Sequence, residues 1–441
     1  MELEIIALIL FAVVFILILF GFPVALTLGG VSLIFGYFTL GANYFMLLPS
    51  RFMGIMQSIV LMAVPLFIFM GIMLQRSGLA ESMLETMAML FGRLRGGLAI
   101  SVIVVGALLA ASTGIVGATV VTMGLISLPT MLKRGYKASV ATGTIAASGT
   151  LGQIIPPSIV LVLLADTLSN SGGGQSVDVG TMFQVAIIPS LILVAMYILY
   201  ILIIAKIRPE WVPVLSHEEI KVFFDQKNII NKVFQAFFLP FLLILAVLGS
   251  IFWGFASPTE ASAVGAFGAI LLTISQKKFS LKILKEVSQE TMQLTAMVFL
   301  ILLGATTFTM VFRGLGGDLY LVDLIANSRL TAMGFLILVM VVIFFMGFFI
   351  DFIEIIFIII PVVAPVFVEL NMNLVWIGIL IAMNLQTSFL TPPFGFSLFY
   401  LKGVAPSTVS TKDIYTGIIP FIVIQVIFII LLMIFPELVG L

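Results

Sequence analysis

Apolar runs long enough to cross a membrane, each closed by a charge or by glycine and proline, follow one another along almost the whole chain. Residues 4–20 and 23–38 are two such runs, parted only by Gly21-Phe22-Pro23. A short polar stretch containing Arg51 leads to a third, 58–75, which Arg76 ends. Each predicts a transmembrane helix, because about 20 apolar residues span the hydrocarbon core. Residues 79–92 alternate apolar and polar groups at helical spacing and are too short to cross, which predicts an interfacial helix. Two apolar arms follow, 97–111 and 114–132, joined by Ala111-Ser112-Thr113-Gly114. Arg93, Arg95, Lys133, Arg134 and Lys137 flank their bases. With both bases on the basic, cytoplasmic side, the arms form a re-entrant hairpin over 97–132 whose tip stops inside the membrane.

The next span, 138–168, carries GTLGQIIPPS (Gly149 to Ser158) at its centre. Proline lacks a backbone donor and interrupts a helix, so Pro156-Pro157 predicts a break with unpaired carbonyls at mid-depth. In lipid such a break is tolerated only where it lines a buried site. The loop SNSGGGQSVD, free of basic residues, suits the outer face. The span 182–205 returns to Lys206 and Arg208, and 206–235 is the one long hydrophilic stretch, read as a cytoplasmic linker.

The second half repeats the first. Pro129 and Pro365, Pro156-Pro157 and Pro392-Pro393, and Gly29 and Gly265 each stand 236 residues apart; Arg76 and Arg313 stand 237 apart, and Pro23 and Pro258 stand 235 apart. This predicts a second hairpin, 332–370, and a second broken span, 374–404, centred on QTSFLTPPFG (Gln386 to Gly395). Each half is read as five full crossings plus one hairpin, an odd number, which sets the second half in the membrane upside down. Lys277, Lys278, Lys282 and Lys285 precede the span near 292–312, whereas the second hairpin has few basic residues at its base and is expected to open outward. The fold class is therefore an all-α polytopic membrane protein of two inverted repeats, the architecture of many secondary transporters.

Composition agrees and narrows the function. The chain is 62% hydrophobic and 9% charged, against about 25% charged for a soluble protein. Its 20 basic and 20 acidic residues cancel, so nothing points to nucleic acid. The absence of cysteine excludes thiolate metal sites, and the single histidine, His217, falls in the linker. No nucleotide-binding or hydrolase motif is present, so the chain is read as a transporter and not an enzyme. The first apolar run has no basic segment before it and is read as a retained span.

Small and hydroxyl residues beside the breaks form two candidate ion sites. The first joins the tip, Ala111 to Thr113 with Ser112 at its centre, to Gly149, Gly152, Ile155 and Pro157. The second joins Gly347 to Ser388, Thr391 and Phe394, with Thr387 beside them and Phe394 acting through its carbonyl. Exposed carbonyls are hard oxygen donors suited to Na⁺. The competing reading, small residues for close helix packing, explains single glycines but not paired Pro-Pro breaks. Asp351 and Glu354 are a carboxylate pair deep in an apolar run, where charge is costly. Asp351 either caps the following helix or touches ion or substrate, and Glu354 is either protonated or faces a wet cavity. Asp166 and Lys402 read as interfacial anchors, and Arg76 and Arg313 as interfacial or salt-bridging residues. No basic side chain lies in either tip or break, so an anionic substrate would be held by helix N-termini, amides and hydroxyls, with bound cations supplying positive charge.

Over about residues 5–436 the chain resembles the large membrane subunit (M subunit, DctM-like) of tripartite ATP-independent periplasmic (TRAP) transporters. The resemblance rests on ASTGIVGATVVTMGLISLPTMLKRGY (111–136), ASGTLGQIIPPSI (147–159), GFASPTEASAVGAFGA (254–269) and NLQTSFLTPPFGFSLFYLKGVAP (384–406). It implies a sodium-driven elevator carrier of the bacterial inner membrane with two or more Na⁺ sites. One falls near Ser112 and on Gly152, Ile155 and Pro157; the other falls on Gly347, Ser388, Thr391 and Phe394. Thr113, Thr387, Asp351 and Glu354 are then the remaining tip or substrate contacts. It also implies a small organic acid substrate, a periplasmic solute-binding protein and a small membrane subunit, both expected as separate chains. Ser388 replaces a glycine common in relatives. On this reading residues 1–57 are scaffold, 58–180 half of the transport domain, 181–290 scaffold, 291–412 the other half, and 413–441 a terminal scaffold helix. A stand-alone sodium and anion symporter of a related elevator type is the alternative.

Overall fold

The computed structural model describes residues 3–171, 175–225, 229, 233–327 and 330–440, with the backbone alone at Ser112, Thr113, His217, Ile325 and Ala326. Gly172 to Gly174 of the outer loop and part of the 206–235 linker lie outside the described residues. Every regular element among the described residues is a helix, which lets a membrane-embedded backbone satisfy its own donors and acceptors. The first half runs α1 (Leu3–Leu19), α2 (Val24–Leu40), α3 (Leu48–Met56), α4 (Ala63–Arg76), α5 (Leu79–Leu90), α6 (Gly97–Thr113), α7 (Val116–Lys133), α8 (Ala138–Thr150), α9 (Ile159–Ser171) and α10 (Val179–Ile207). After the short α11 (His217–Phe224) come α12 (Leu239–Phe252), α13 (Pro258–Ser275), α14 (Leu281–Gly314), α15 (Gly317–Asn327), α16 (Ala332–Met346), α17 (Phe352–Glu369), α18 (Leu374–Leu390), α19 (Phe396–Val404) and α20 (Thr411–Ile434).

Two stretches differ from the sequence reading. The polar segment around Arg51 is helical and bends by 53° into the following span. Its face has an apolar side, Leu48, Phe52 and Ile55, that a scan for charges overlooks. The span expected near 292–312 begins at Leu281, because Ser280 caps it by accepting the Ile283 N–H and Lys282 and Lys285 extend into water from its first turns.

Packing follows the repeat across the halves. Helix α2 packs on α14, and its counterpart α13 packs on α4; α17 packs on α9, and its counterpart α7 packs on α19; α20 packs on α8, and α10 on α18. Several contacts leave no room for a side chain. A Cβ on Gly304 would lie 2.4 Å from the Ala25 carbonyl, and one on Gly417 would lie 1.9 Å from the Ser139 carbonyl. Close approach of this kind drives helix association where lipid removes the hydrophobic incentive.

Several basic residues gather at one end. Lys137 lies 3.4 Å over the Trp211 ring, the Gly96 and Lys137 N–H groups donate to the Val212 and Trp211 carbonyls, and Arg134 pairs with Glu219 at 3.8 Å. Helix α10 runs 29 residues, about 43 Å, from there to Asp178 at the opposite end.

Candidate functional site

Both predicted breaks are present. Helix α8 ends at Thr150, makes one tight turn over Leu151–Gln153 and resumes as α9 at Ile159. Helix α18 stops at Leu390 and resumes as α19 at Phe396. Pro156-Pro157 and Pro392-Pro393 are cis. In each half a serine beyond the prolines spans the gap to the same repeat position: Ser158 Oγ donates to the Gln153 carbonyl and Ser397 Oγ to the Phe389 carbonyl, both at 2.8 Å.

Each hairpin tip sits on the break of its own half. In the first, a Cβ on Gly152 would lie 2.7 Å from the Ala110 carbonyl, and one on Gly149 would lie 2.4 Å from Val120 Cγ2 and 3.1 Å from its Cα. Gly114 turns the tip at φ +60°, and a Cβ there would meet Ile159 Cγ1 at 3.0 Å. Gly149, Gly152 and Pro157 are buried and Ile155 is half-buried. The side chains of Ser112 and Thr113 lie outside the described residues, and only their helical backbone joins this site.

In the second, a Cβ on Gly347 would lie 2.1 Å from Ser388 Oγ and 2.7 Å from its Cβ. Ala111 and Gly152 occupy the repeat positions of Gly347 and Ser388. In the second half the glycine stands on the tip and the side chain on the break, the reverse of the first half, and Gly347 leaves the room that Ser388 fills. Thr387, Ser388 and Thr391 donate their hydroxyl protons to the carbonyls of Met383, Leu385 and Thr387, each at 2.8 Å. A hydroxyl so committed turns only lone pairs to anything else nearby. The Phe394 ring packs on Phe349 of the tip, with centroids 5.2 Å apart. The first break is enclosed, whereas Pro393 and Phe394 are exposed.

Asp351 caps α17. Its Oδ1 accepts the Phe352 N–H at 2.6 Å, its carboxylate also accepts the Glu354 N–H, and Glu354 Oε2 accepts the Asp351 N–H at 3.2 Å. This reciprocal box answers both orphan donors and gives Glu354 a role that neither sequence reading had offered, although Asp-x-x-Glu before an apolar run signals it. The counterpart Ile115 gives α7 no side-chain cap. Asp351→Ala is expected to cost about 1 kcal/mol of stability, seen as a lower unfolding midpoint. Glu354→Gln keeps an acceptor and is expected to cost less; an unchanged midpoint for Asp351→Ala would remove the box as what holds this tip.

Two features had gone unremarked. Adjoining cavities of about 620 and 200 Å³ share Arg51, Ile55, Asp166, Asn170 and Thr306 at the end opposite the basic cluster. Arg313 lines the smaller one, donating to the Ser171 carbonyl at 3.3 Å and pairing with Asp318 at 3.8 Å, while its repeat counterpart Arg76 pairs with Glu290 at 3.4 Å. The Arg76 and Arg313 pairs match the salt-bridging reading; Asp166 instead lines the cavity, and Lys402 Nζ donates to the Val409 carbonyl at 2.8 Å. The second feature is a buried polar cluster, Thr150, Gln386, Gln425 and Tyr197. Glutamines inside apolar spans were its signal.

Broken spans, hairpin tips seated on them and a wholly helical bundle define a polytopic membrane transporter. The YdaH transporter of Alcanivorax borkumensis has the same fold: its solved structure matches with a TM-score of 0.64 at 15% identity, over 90% of this chain and 89% of that one. The chain belongs to the family described as tripartite ATP-independent periplasmic transporter, DctM component, whose model matches residues 11–438. It is 28% identical to the C4-dicarboxylate TRAP transporter large permease protein DctM of Rhodobacter capsulatus over 98% of this chain and 97% of that protein. It is 29% identical to the ectoine TRAP transporter large permease protein TeaC of Halomonas elongata over 96% and 95%. It is therefore a multi-pass protein of the bacterial inner membrane.

Proposed function

We propose that this permease imports a small organic acid, delivered by a periplasmic binding protein, in symport with Na⁺ and by an elevator movement. The observation that carries the reading is the pair of tip-on-break contacts, Gly152 against Ala110 and Gly347 against Ser388. The first brings a backbone carbonyl of the tip against the break, and the second adds the proton-spent hydroxyls of Thr387, Ser388 and Thr391. Among the described residues no group of three or more His, Asp or Glu could hold a metal, so the donors are neutral oxygens, which suit Na⁺ better than a divalent cation. With Asp351 and Glu354 already on the α17 N-terminus, the uncapped α7 N-terminus is the better place for a carboxylate. The names of relatives, C4-dicarboxylate and ectoine permeases, support a small polar solute.

The moving body on this proposal comprises α6 to α10 and α16 to α20. That differs from the boundaries drawn from sequence, which left α10 and α20 in the scaffold and put α4, α5, α15 and most of α14 in the transport domain. A helix that meets α8 backbone to backbone at Gly143 and Gly417 cannot stay still while α8 slides. The α2–α14 and α4–α13 pairs then form the static part. The cavities lined by Arg51 and Arg313 fall at the seam between the two, on the side away from the basic cluster, and suit the receipt of an anion.

A family called tripartite implies the small membrane subunit and the binding protein as partners. In proteoliposomes, uptake is expected only with an inward Na⁺ gradient, the small subunit and a loaded binding protein together. Full uptake by this chain with Na⁺ alone would favour the stand-alone sodium and anion symporter instead, and uptake indifferent to Na⁺ would overturn the coupling.

A further inference from the structure

Thr150 and Gln386 stand 236 residues apart, the separation of the repeat, and they touch: Gln386 Nε2 lies 3.5 Å from Thr150 Oγ1. Two repeat-equivalent residues can meet only where the axis relating the halves passes between them. Both are fully buried. Thr150 lies between Gly149 and Gly152 of the first candidate ion site, and Gln386 directly precedes Thr387 and Ser388 of the second. Gln425 of α20 donates to the hydroxyl of Tyr197 on α10, and Gln386 lies within reach of that same hydroxyl. Four helices therefore converge on one polar point at the centre of an apolar bundle.

We propose that Gln386, through its contact with Thr150 on this axis, is a positioning residue that makes occupancy of the two ion sites interdependent; the inference rests on the sodium reading above. Ligands at Ser388 and Thr391 order the last turn of α18, which carries Gln386. Gln386 Oε1 is itself without a partner among the described residues, so burial penalises any rotation that also gives up the Nε2 contact to Thr150. The end of α8, and with it the Gly149 to Gly152 backbone, is thereby held in one arrangement. Each ion prepares the site of the other, which is a coupling free energy between distinct sites.

The full-length chain, co-expressed with its small membrane subunit in lipid nanodiscs, would be titrated with NaCl against KCl at constant ionic strength, reading the unfolding midpoint. The wild type is expected to show Na⁺-specific stabilisation with a Hill coefficient above one, the ceiling being the number of sites. Gln386→Met is expected to bring the coefficient to one and to weaken apparent Na⁺ affinity about 5-fold or more. Thr150→Val is expected to do the same, and the double variant no more than either. Tyr197→Phe keeps its ring on Phe421, 5.0 Å away, so it retains the fold should the others not, and a lowered coefficient is expected there too. A cooperative wild type with equally cooperative variants would overturn the positioning role alone. A wild type with no Na⁺-specific shift would overturn the sodium reading and this inference with it.

Discussion

Gly152→Leu is expected to abolish uptake while leaving the protein in the membrane. A Cβ at this position would lie 2.7 Å from the Ala110 carbonyl and 3.2 Å from its Cα, and these are backbone atoms that no rotamer change can move. The remainder of a leucine would have to push the tip of α6 off the break. Overpacking of this sort costs about 1–3 kcal/mol, which an extensively packed bundle tolerates. The loss should therefore appear in transport, measured as Na⁺-driven uptake falling to background, with size-exclusion behaviour and expression retained. Gly152→Ala should be intermediate, since only the Cβ itself intrudes. Unchanged kinetics for Gly152→Leu would mean that tip and break part freely, and that their contact is packing alone.

Gly347→Ala is expected to be nearly as damaging, and Ser388→Gly is expected to rescue it. The added methyl would lie 2.1 Å from Ser388 Oγ and 2.7 Å from Ser388 Cβ; rotation relieves the first clash but not the second. Removing the serine side chain clears both and gives the second half the residue pair that the first half carries at the same repeat positions, Ala111 and Gly152. Ser388 Oγ donates to the Leu385 carbonyl within its own helix, so its loss leaves the α18 ladder intact. The single variant should lose most Na⁺-driven uptake and the double should recover it, a strongly non-additive pair as expected of residues in contact. Failure of the double would separate the two halves as ion sites and break the equivalence drawn between them.

The extent to which these contacts were legible differs by element. The second hairpin over 332–370 and the broken span over 374–404 appear in the structure with Ala332–Glu369 helical around the tip and with Leu374–Val404 broken at Pro392-Pro393. Their boundaries are local: Thr331 and Asn373 cap α16 and α18, and Pro392-Pro393 ends α18. The helix around Arg51 was not legible, because its charge and its interruption by Gln57 and Ser58 look like a loop unless its contact with α14 is known. Asp351 and Glu354 were legible as a pair but not as a box, since the alternatives differ only in where the carboxylates point.

Sequence alone indicated the apolar segments, the start or stop of most helices and the 236-residue spacing of landmarks between the halves. Those properties follow from backbone satisfaction in lipid, which every residue must meet locally. Only the tertiary structure decided which partner each break receives, that Gly347 makes room for Ser388, that α20 lies backbone to backbone on α8, and that Gln386 meets its own repeat equivalent. Each of these depends on two segments far apart in the chain competing for the same few ångströms, and steric fit between them is not encoded in either segment by itself.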